Sequence, residues 1–227
     1  MRNFKKFIKI ITASVMLVAS WQNASADSQV AIGPKIGLSG LGLEARVNLA
    51  DNLYGRLGVN YFTYSLKTKD SALKYKLSLT LLTAPLMLDY HPIDGSGFRV
   101  SAGIAYNGNK IELKSGPSSN VILYGHEYAP NQIGNVKGTL EFKNKIAPIL
   151  SVGYDSSLMD ISPWSFNMEA GLMYAGKAKV KVSASGLAAK APEFIDDLQK
   201  DSDKGLDSIN KYLKYFPVLS IGIKFSI

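Results

Sequence analysis

The sequence predicts an all-β fold, an eight-stranded antiparallel up-and-down transmembrane β-barrel with a short helical segment in its last outer loop. Three observations carry that expectation. Apolar residues recur with period two in eight segments, 29–38, 41–50, 53–66, 73–90, 98–113, 136–154, 164–183 and 215–227, as strands with one apolar and one polar face require. Aromatic residues stand near both ends of those apolar faces, and a leader of export type precedes the first strand.

The leader reads in three parts. Arg2, Lys5, Lys6 and Lys9 form a positive start, "IITASVMLVAS" an apolar stretch of 11 residues, and "WQNASA" ends on Ala24 and Ala26 with signal-peptidase spacing. An 11-residue stretch is too short for a helical span, which needs about 20 residues. The expected division is therefore a cleavable signal peptide over 1–26 and a barrel domain over 27–227. Cleavage removes four basic and no acidic residues, so the net charge falls from +8 to +4, with 22 basic against 18 acidic residues. Much of the basic excess thus belongs to export, and no nucleic-acid partner is expected. With no cysteine, a disulfide framework, a thiolate metal site and a cysteine nucleophile are all excluded.

Along the mature chain no 18-residue apolar run occurs, and alternation dominates instead. Leu41, Leu43, Ala45, Val47 and Leu49 oppose Gly42, Glu44, Arg46 and Asn48; Phe98, Val100, Ala102, Ile104 and Tyr106 oppose Arg99, Ser101 and Asn107. In 136–154 the even residues Val136, Leu140, Phe142, Ile146, Leu150, Val152 and Tyr154 oppose Lys137, Glu141, Lys143, Lys145 and Ser151. Trp164, Phe166, Met168, Ala170, Leu172 and Tyr174 oppose Ser165, Asn167 and Glu169. The segment 73–90 changes phase near Leu81 and Leu82, which predicts a bulge or a break in register there.

A soluble sandwich buries the apolar face and a membrane barrel turns it to lipid. Trp164 and Tyr174 share a face ten residues apart, which at a tilt of about 40° is ~25 Å along the membrane normal, the height of a lipid-facing band. Phe142 and Tyr154 span a similar distance. The expected lipid-facing girdle is Tyr106, Phe142, Tyr154, Trp164, Tyr174 and Phe225. Strands of 9 to 20 residues also suit a crossing better than a sandwich, whose strands run about 5–6. Connections alternate, compact at 51–52, 91–97 and 155–163, longer and polar at 67–72, 114–135 and 184–214; the short turn at Ser39 and Gly40 is the exception. In the last of these, Phe194, Ile195 and Leu198, then Leu206, Ile209 and Leu213, form apolar stripes at helical spacing.

These features together resemble the eight-stranded outer-membrane β-barrels of Gram-negative bacteria, the OmpA, OmpX and OmpW type. More narrowly, "GLSGLGLEARVNLADNLYGRLGVNYFTYS", "AGIAYNGNKIEL" and "YFPVLSIGIKF" are similar to a group of proteobacterial outer-membrane barrels. The resemblance covers 28–227. It implies a bacterial outer-membrane location, periplasmic termini, loops outside the cell, and a last strand, 215–227, read by the barrel-assembly machinery. That signal usually ends in Phe; here Ile227 is last and Phe225 stands two places earlier on the same face.

The implied partners are outer-membrane lipid, lipopolysaccharide and an extracellular ligand or partner at the loops. No cofactor and no metal are expected. Of the two histidines, His91 reads as a turn residue and His126, in "LYGHEY", as a solvated loop residue. The glycines of "GLSGLGLE" precede a strand, and so form no phosphate loop. "DDLQKDSDKGLD" lacks the ligand order of a calcium loop.

Inward charges carry more information. Glu44, Arg46, Arg56, Arg99, Glu141, Lys143 and Glu169 fall on polar faces in mid-strand and form the expected lumen network. Eight strands leave an interior about filled by side chains, so ion pairing into a plug is expected over a narrow passage. The expected function is a non-enzymatic structural or surface-interaction role through the outer loops. A narrow channel for small solutes or hydrophobic ligands is the alternative, and an outer-leaflet lipid-modifying enzyme using His126 a distant third.

Overall fold

The computed structural model of the chain describes residues 30–69, 74–116, 121–123, 126–128, 136–158, 162–184, 200, 206, 210 and 213–227. The leader and its cleavage site lie outside them. The strands are β1 (Val30–Gly37), β2 (Gly40–Ala50), β3 (Leu53–Lys69), β4 (Lys74–Tyr90), β5 (Phe98–Asn107), β6 (Lys110–Gly116), β7 (Val121–Leu123), β8 (His126–Tyr128), β9 (Val136–Phe142), β10 (Ile146–Asp155), β11 (Trp164–Tyr174), β12 (Ala178–Ala184) and β13 (Tyr215–Ser226).

Eight of them close a ring in the order β4-β3-β2-β1-β13-β11-β10-β5, with β5 pairing back onto β4 and every pair antiparallel. The first and last strands seal it, with Ile32 opposite Phe225 and Gly37 opposite Ser220. The Ile227 N–H donates to the Val30 carbonyl at 2.8 Å. Closure leaves the ring no free edge, which is what a sheet in lipid requires.

Burial is inverted relative to a soluble protein, and this decides between barrel and sandwich. Leu41 is 64% exposed, Leu150 66% and Ile221 52%, whereas Arg99 is fully buried and Lys224 is 1% exposed. A sandwich would bury those leucines between its sheets. Here alternation places them on the outer wall and the charges in the lumen.

Three of the expected strands are each broken in two. The break between β5 and β6 falls at Gly108 and Asn109, that between β9 and β10 at 143–145, and that between β11 and β12 at 175–177, where Gly176 has φ 72°. Side chains supply the ladder partners lost there. The Leu82 N–H donates to Asn109 Oδ1 at 2.9 Å and the Ala178 N–H to Asn210 Oδ1 at 2.8 Å. Beyond the breaks, β12, β9 and β6 leave the ring and join the upper halves of β4 and β3 in an open sheet above it.

The phase change at Leu81 and Leu82 is not a break in register. The pairing of β3 with β4 keeps one offset from Leu53↔Tyr90 to Lys69↔Lys74, and β4 keeps one offset onto β5 and then β6, from Tyr90↔Val100 to Lys74↔Gly116. What changes is which face carries the apolar residues. Within the ring the lumen side of β4 carries Asp89 and the outside Leu86 and Leu88; above it the lumen-side face carries Leu79 and Leu77 and the outer face Lys76, Ser78 and Thr80. An apolar face turns outward where the neighbour is lipid and inward where it is water.

The true irregularity sits at 143–145. The four steps from Tyr106 to Lys110 are matched by five from Ile146 to Glu141, so one extra residue reverses the faces of β9 relative to β10. Of the expected last-loop helix, Lys200, Leu206, Asn210 and Leu213 are helical, with Leu206 and Asn210 buried. The rest of 185–212 lies outside the described residues.

Candidate functional site

Among the described residues, the buried ion pairs gather in the lumen. At its centre Arg56 on β3 donates five hydrogen bonds to three carboxylates. It grips Asp89 at 2.7 and 3.0 Å, Glu169 at 2.8 and 2.9 Å, and Glu44 at 2.9 Å. Lys35 reaches Glu44 at 2.7 Å, Arg99 reaches Asp89 at 2.6 Å, and Lys224 bridges Glu44 and Asp155, each at 3.0 Å. Arg46 completes the set at 2.8 Å from Asp155, with its guanidinium 4.6 Å from the centre of the Tyr54 ring. The Ser151 hydroxyl donates to Glu169 at 2.6 Å.

Nine charged side chains, with at least one from each of the eight strands of the ring, thus form one connected network, five cations against four carboxylates. All nine are at most 8% exposed. Ions taken this far from water need partners, and the closed ring gives each of the nine at least one ion pair, while Arg99 Nε and Nη2 have no hydrogen-bond partner among the described residues. Gly153 is part of the fit, because a Cβ there would stand 2.9 Å from Arg99 Nε.

Toward the loop end an apolar layer of Met87, Ala105, Ala147, Ile149 and Met173, flanked by Phe216 and Val218, crosses the lumen above the charges. Between the layers a cavity of about 20 Å³ touches Lys35, Asn60, Thr83, Ile149, Met173 and Val218. That is room for roughly one water. At the opposite end His91 is buried edge-on against Tyr54, ring centres 5.2 Å apart at 80°. Burial, and then the charge of Arg46, lowers its pKa below the ordinary histidine value, which keeps the ring neutral in its turn.

Five of the seven expected network residues, Glu44, Arg46, Arg56, Arg99 and Glu169, meet in the lumen. Glu141 and Lys143 do not. They stand above the ring, where the extra residue at 143–145 turns Glu141 to the outer face; it lies 3.7 Å from Lys145 and 3.5 Å from Lys181, and Lys143 is exposed. Lys35, Asp89, Asp155 and Lys224 complete the network in their place. Lys224 and Asp155 already fall on polar faces in the sequence; Asp89 is hidden there by the phase change of β4.

Tyr106, Trp164, Tyr174 and Phe225 stand exposed on the outer wall and Tyr154 partly so. Trp164 packs on Phe225 at 4.9 Å near one rim and Tyr174 on Tyr215 at 5.4 Å near the other. Phe142 departs from the expected girdle, because the reversal of faces puts it with Leu140 on the inward side of the upper sheet. His126 opposes Leu123 in the small β7–β8 ribbon; the surroundings of its side chain lie outside the described residues. No group of three His, Cys, Asp or Glu suited to a metal occurs among the described residues.

A closed ring of eight antiparallel strands, with an apolar outer wall and a charged lumen, is the fold of the eight-stranded outer-membrane β-barrels. Among solved structures the chain is similar to Acinetobacter baumannii CarO2, at 23% identity and TM-score 0.55 over 88% of this chain and 98% of that one. It is similar also to CarO of the same organism, at 22% identity and TM-score 0.54 over 86% and 96%. By sequence, no protein-family model and no curated protein matches the chain.

Proposed function

We propose that the protein is an integral barrel of the Gram-negative outer membrane with a closed lumen, acting as a structural and surface-interaction element through its loop end. The observation that carries this reading is the lumen itself: a connected network of nine charges capped by an apolar layer, with about 20 Å³ left between them. Conduction needs a continuous watery path lined by groups that bind and release the solute. Here the polar lining is spent on itself, with Arg56 shared among three carboxylates. The exposed apolar wall and its two aromatic rims support the membrane location. With the termini periplasmic, as in outer-membrane barrels generally, the open sheet of β3, β4, β6, β9 and β12 stands outside the cell as the surface available to partners.

The test is conductance. Purified, folded protein inserted into planar bilayers should give no discrete single-channel steps. Reproducible steps from the unaltered protein, changed in size by Glu169→Gln, would overturn the closed-lumen reading in favour of a narrow channel.

A further inference from the structure

Above the ring, β3 becomes an edge of the open sheet. Its pairing with β2 ends at Leu41↔Tyr61, while its pairing with β4 runs on to Lys69↔Lys74. No other described strand borders 62–69. The ladder shows which backbone groups are left over. In an antiparallel pair, opposite residues alternate between exchanging both their bonds and facing away. The His91 N–H donates to the Asn52 carbonyl at 2.9 Å, in the β3–β4 register, so the even-numbered residues of β3 bond to β4. Thr63, Ser65, Lys67 and Lys69 therefore turn N–H and C=O to the free side, a row of unpaired donors and acceptors.

The two faces of this edge differ in chemistry. On the lumen-side face Phe62, Tyr64 and Leu66 are 42%, 53% and 48% exposed. On the outer face Lys67 is directly opposite Lys76 on β4, Lys76 opposite Lys114 on β6, and Lys114 opposite Lys137 on β9. Like charges directly opposite each other destabilise a sheet, and no described carboxylate comes within 4.0 Å of Lys67, Lys76 or Lys114.

We propose that β3 over 62–69 docks an extended segment of a partner protein in which acidic residues alternate with apolar ones, added as a further strand of the open sheet. The inference rests on the loop end being the interaction face of the barrel. Main-chain bonds to the free edge supply affinity, and alternate side chains supply specificity: carboxylates beside Lys67, apolar residues beside Tyr64 and Leu66. A second copy in the same membrane does not fit this edge. Both barrels point the same way, so copies related by an axis along the membrane normal would pair β3 in parallel. The lysine face of one would then lie beside the apolar face of the other. Edge lysines are a common guard against such pairing, and here they also select the charge of the strand that is admitted.

The probe is a fluorescent peptide of alternating Glu and Val, blocked at both ends, added to the folded full-length barrel in neutral detergent. Anisotropy should show binding to the unaltered protein. Ser65→Pro removes an edge N–H that β4 does not use, a place where a strand tolerates proline, and should weaken binding about tenfold. Lys67→Glu should weaken it about fivefold, and the same peptide with every backbone nitrogen methylated should not bind. Heat-dependent gel mobility checks that each variant is folded. No binding to the unaltered protein would overturn the proposal, as would equal binding by Ser65→Pro. Equal binding of the methylated peptide would overturn it too, by showing that the lysines attract the peptide without the edge. Because the chain has no cysteine, Ser65→Cys treated on intact cells with a membrane-impermeant maleimide reports the underlying reading separately. No labelling would refute the placement of this end outside the cell, whereas labelling without peptide binding would refute the docking edge alone.

Discussion

Arg56→Met should cost about 3–5 kcal/mol of folding free energy, the usual effect of removing one partner from a buried ion network. The substitution keeps the stem's volume but leaves Glu44, Asp89 and Glu169 facing one another around a missing cation. Lys35, Arg99 and Lys224 remain, and each is already engaged with a carboxylate of the set. Denaturant unfolding in detergent micelles, followed by Trp164 fluorescence, checks the figure. Adding Glu169→Gln should restore part of the loss, because groups that share a hydrogen-bond network do not add independently. A cost for Arg56→Met below about 1 kcal/mol would mean that the lumen is wet enough to solvate the three carboxylates.

Leu150→Arg should cost about 2–4 kcal/mol, although this leucine is 66% exposed. On β10 it stands midway between Ile146, level with Tyr106, and Tyr154, level with Phe98, and so near the middle of the apolar band. For an exposed residue of a soluble protein the same change would be within about ±0.5 kcal/mol. Equilibrium unfolding from lipid bilayers measures the difference. A value within that narrow range would show that the outer wall faces water.

How much of this was legible depends on what alternation encodes. It encodes shared faces, so the pairing of Leu41 with Leu43 outside and Glu44 with Arg46 inside follows from the residues alone. It does not encode height. The outer face of β4 changes from Leu86 and Leu88 to Lys76 and Ser78 without a shift in pairing, and from one strand this looks the same as a bulge. At 143–145 the opposite happened: an extra residue reverses the faces while even-numbered apolar residues continue on both sides, so Phe142 reads as outward and Glu141 as lumenal. Only the pairing with β6 places them. The network was half visible for a related reason. Mid-strand charges such as Arg56 and Glu169 are conspicuous against apolar neighbours, whereas Asp89 and Asp155 sit at strand ends, where a charge usually means solvent.

Because the chain has no cysteine, two single substitutions on adjacent residues test the inside-out barrel most directly. Leu150→Cys on the outer wall and Ser151→Cys in the lumen would each be reconstituted in lipid vesicles and treated with a charged, water-soluble maleimide. The arrangement described here predicts that neither reacts, and that a fluorophore attached before folding at Leu150→Cys alone is quenched by lipid-borne nitroxide. Rapid labelling of Ser151→Cys would show an open, water-filled lumen, and rapid labelling of Leu150→Cys a wall in water; either result would contradict it.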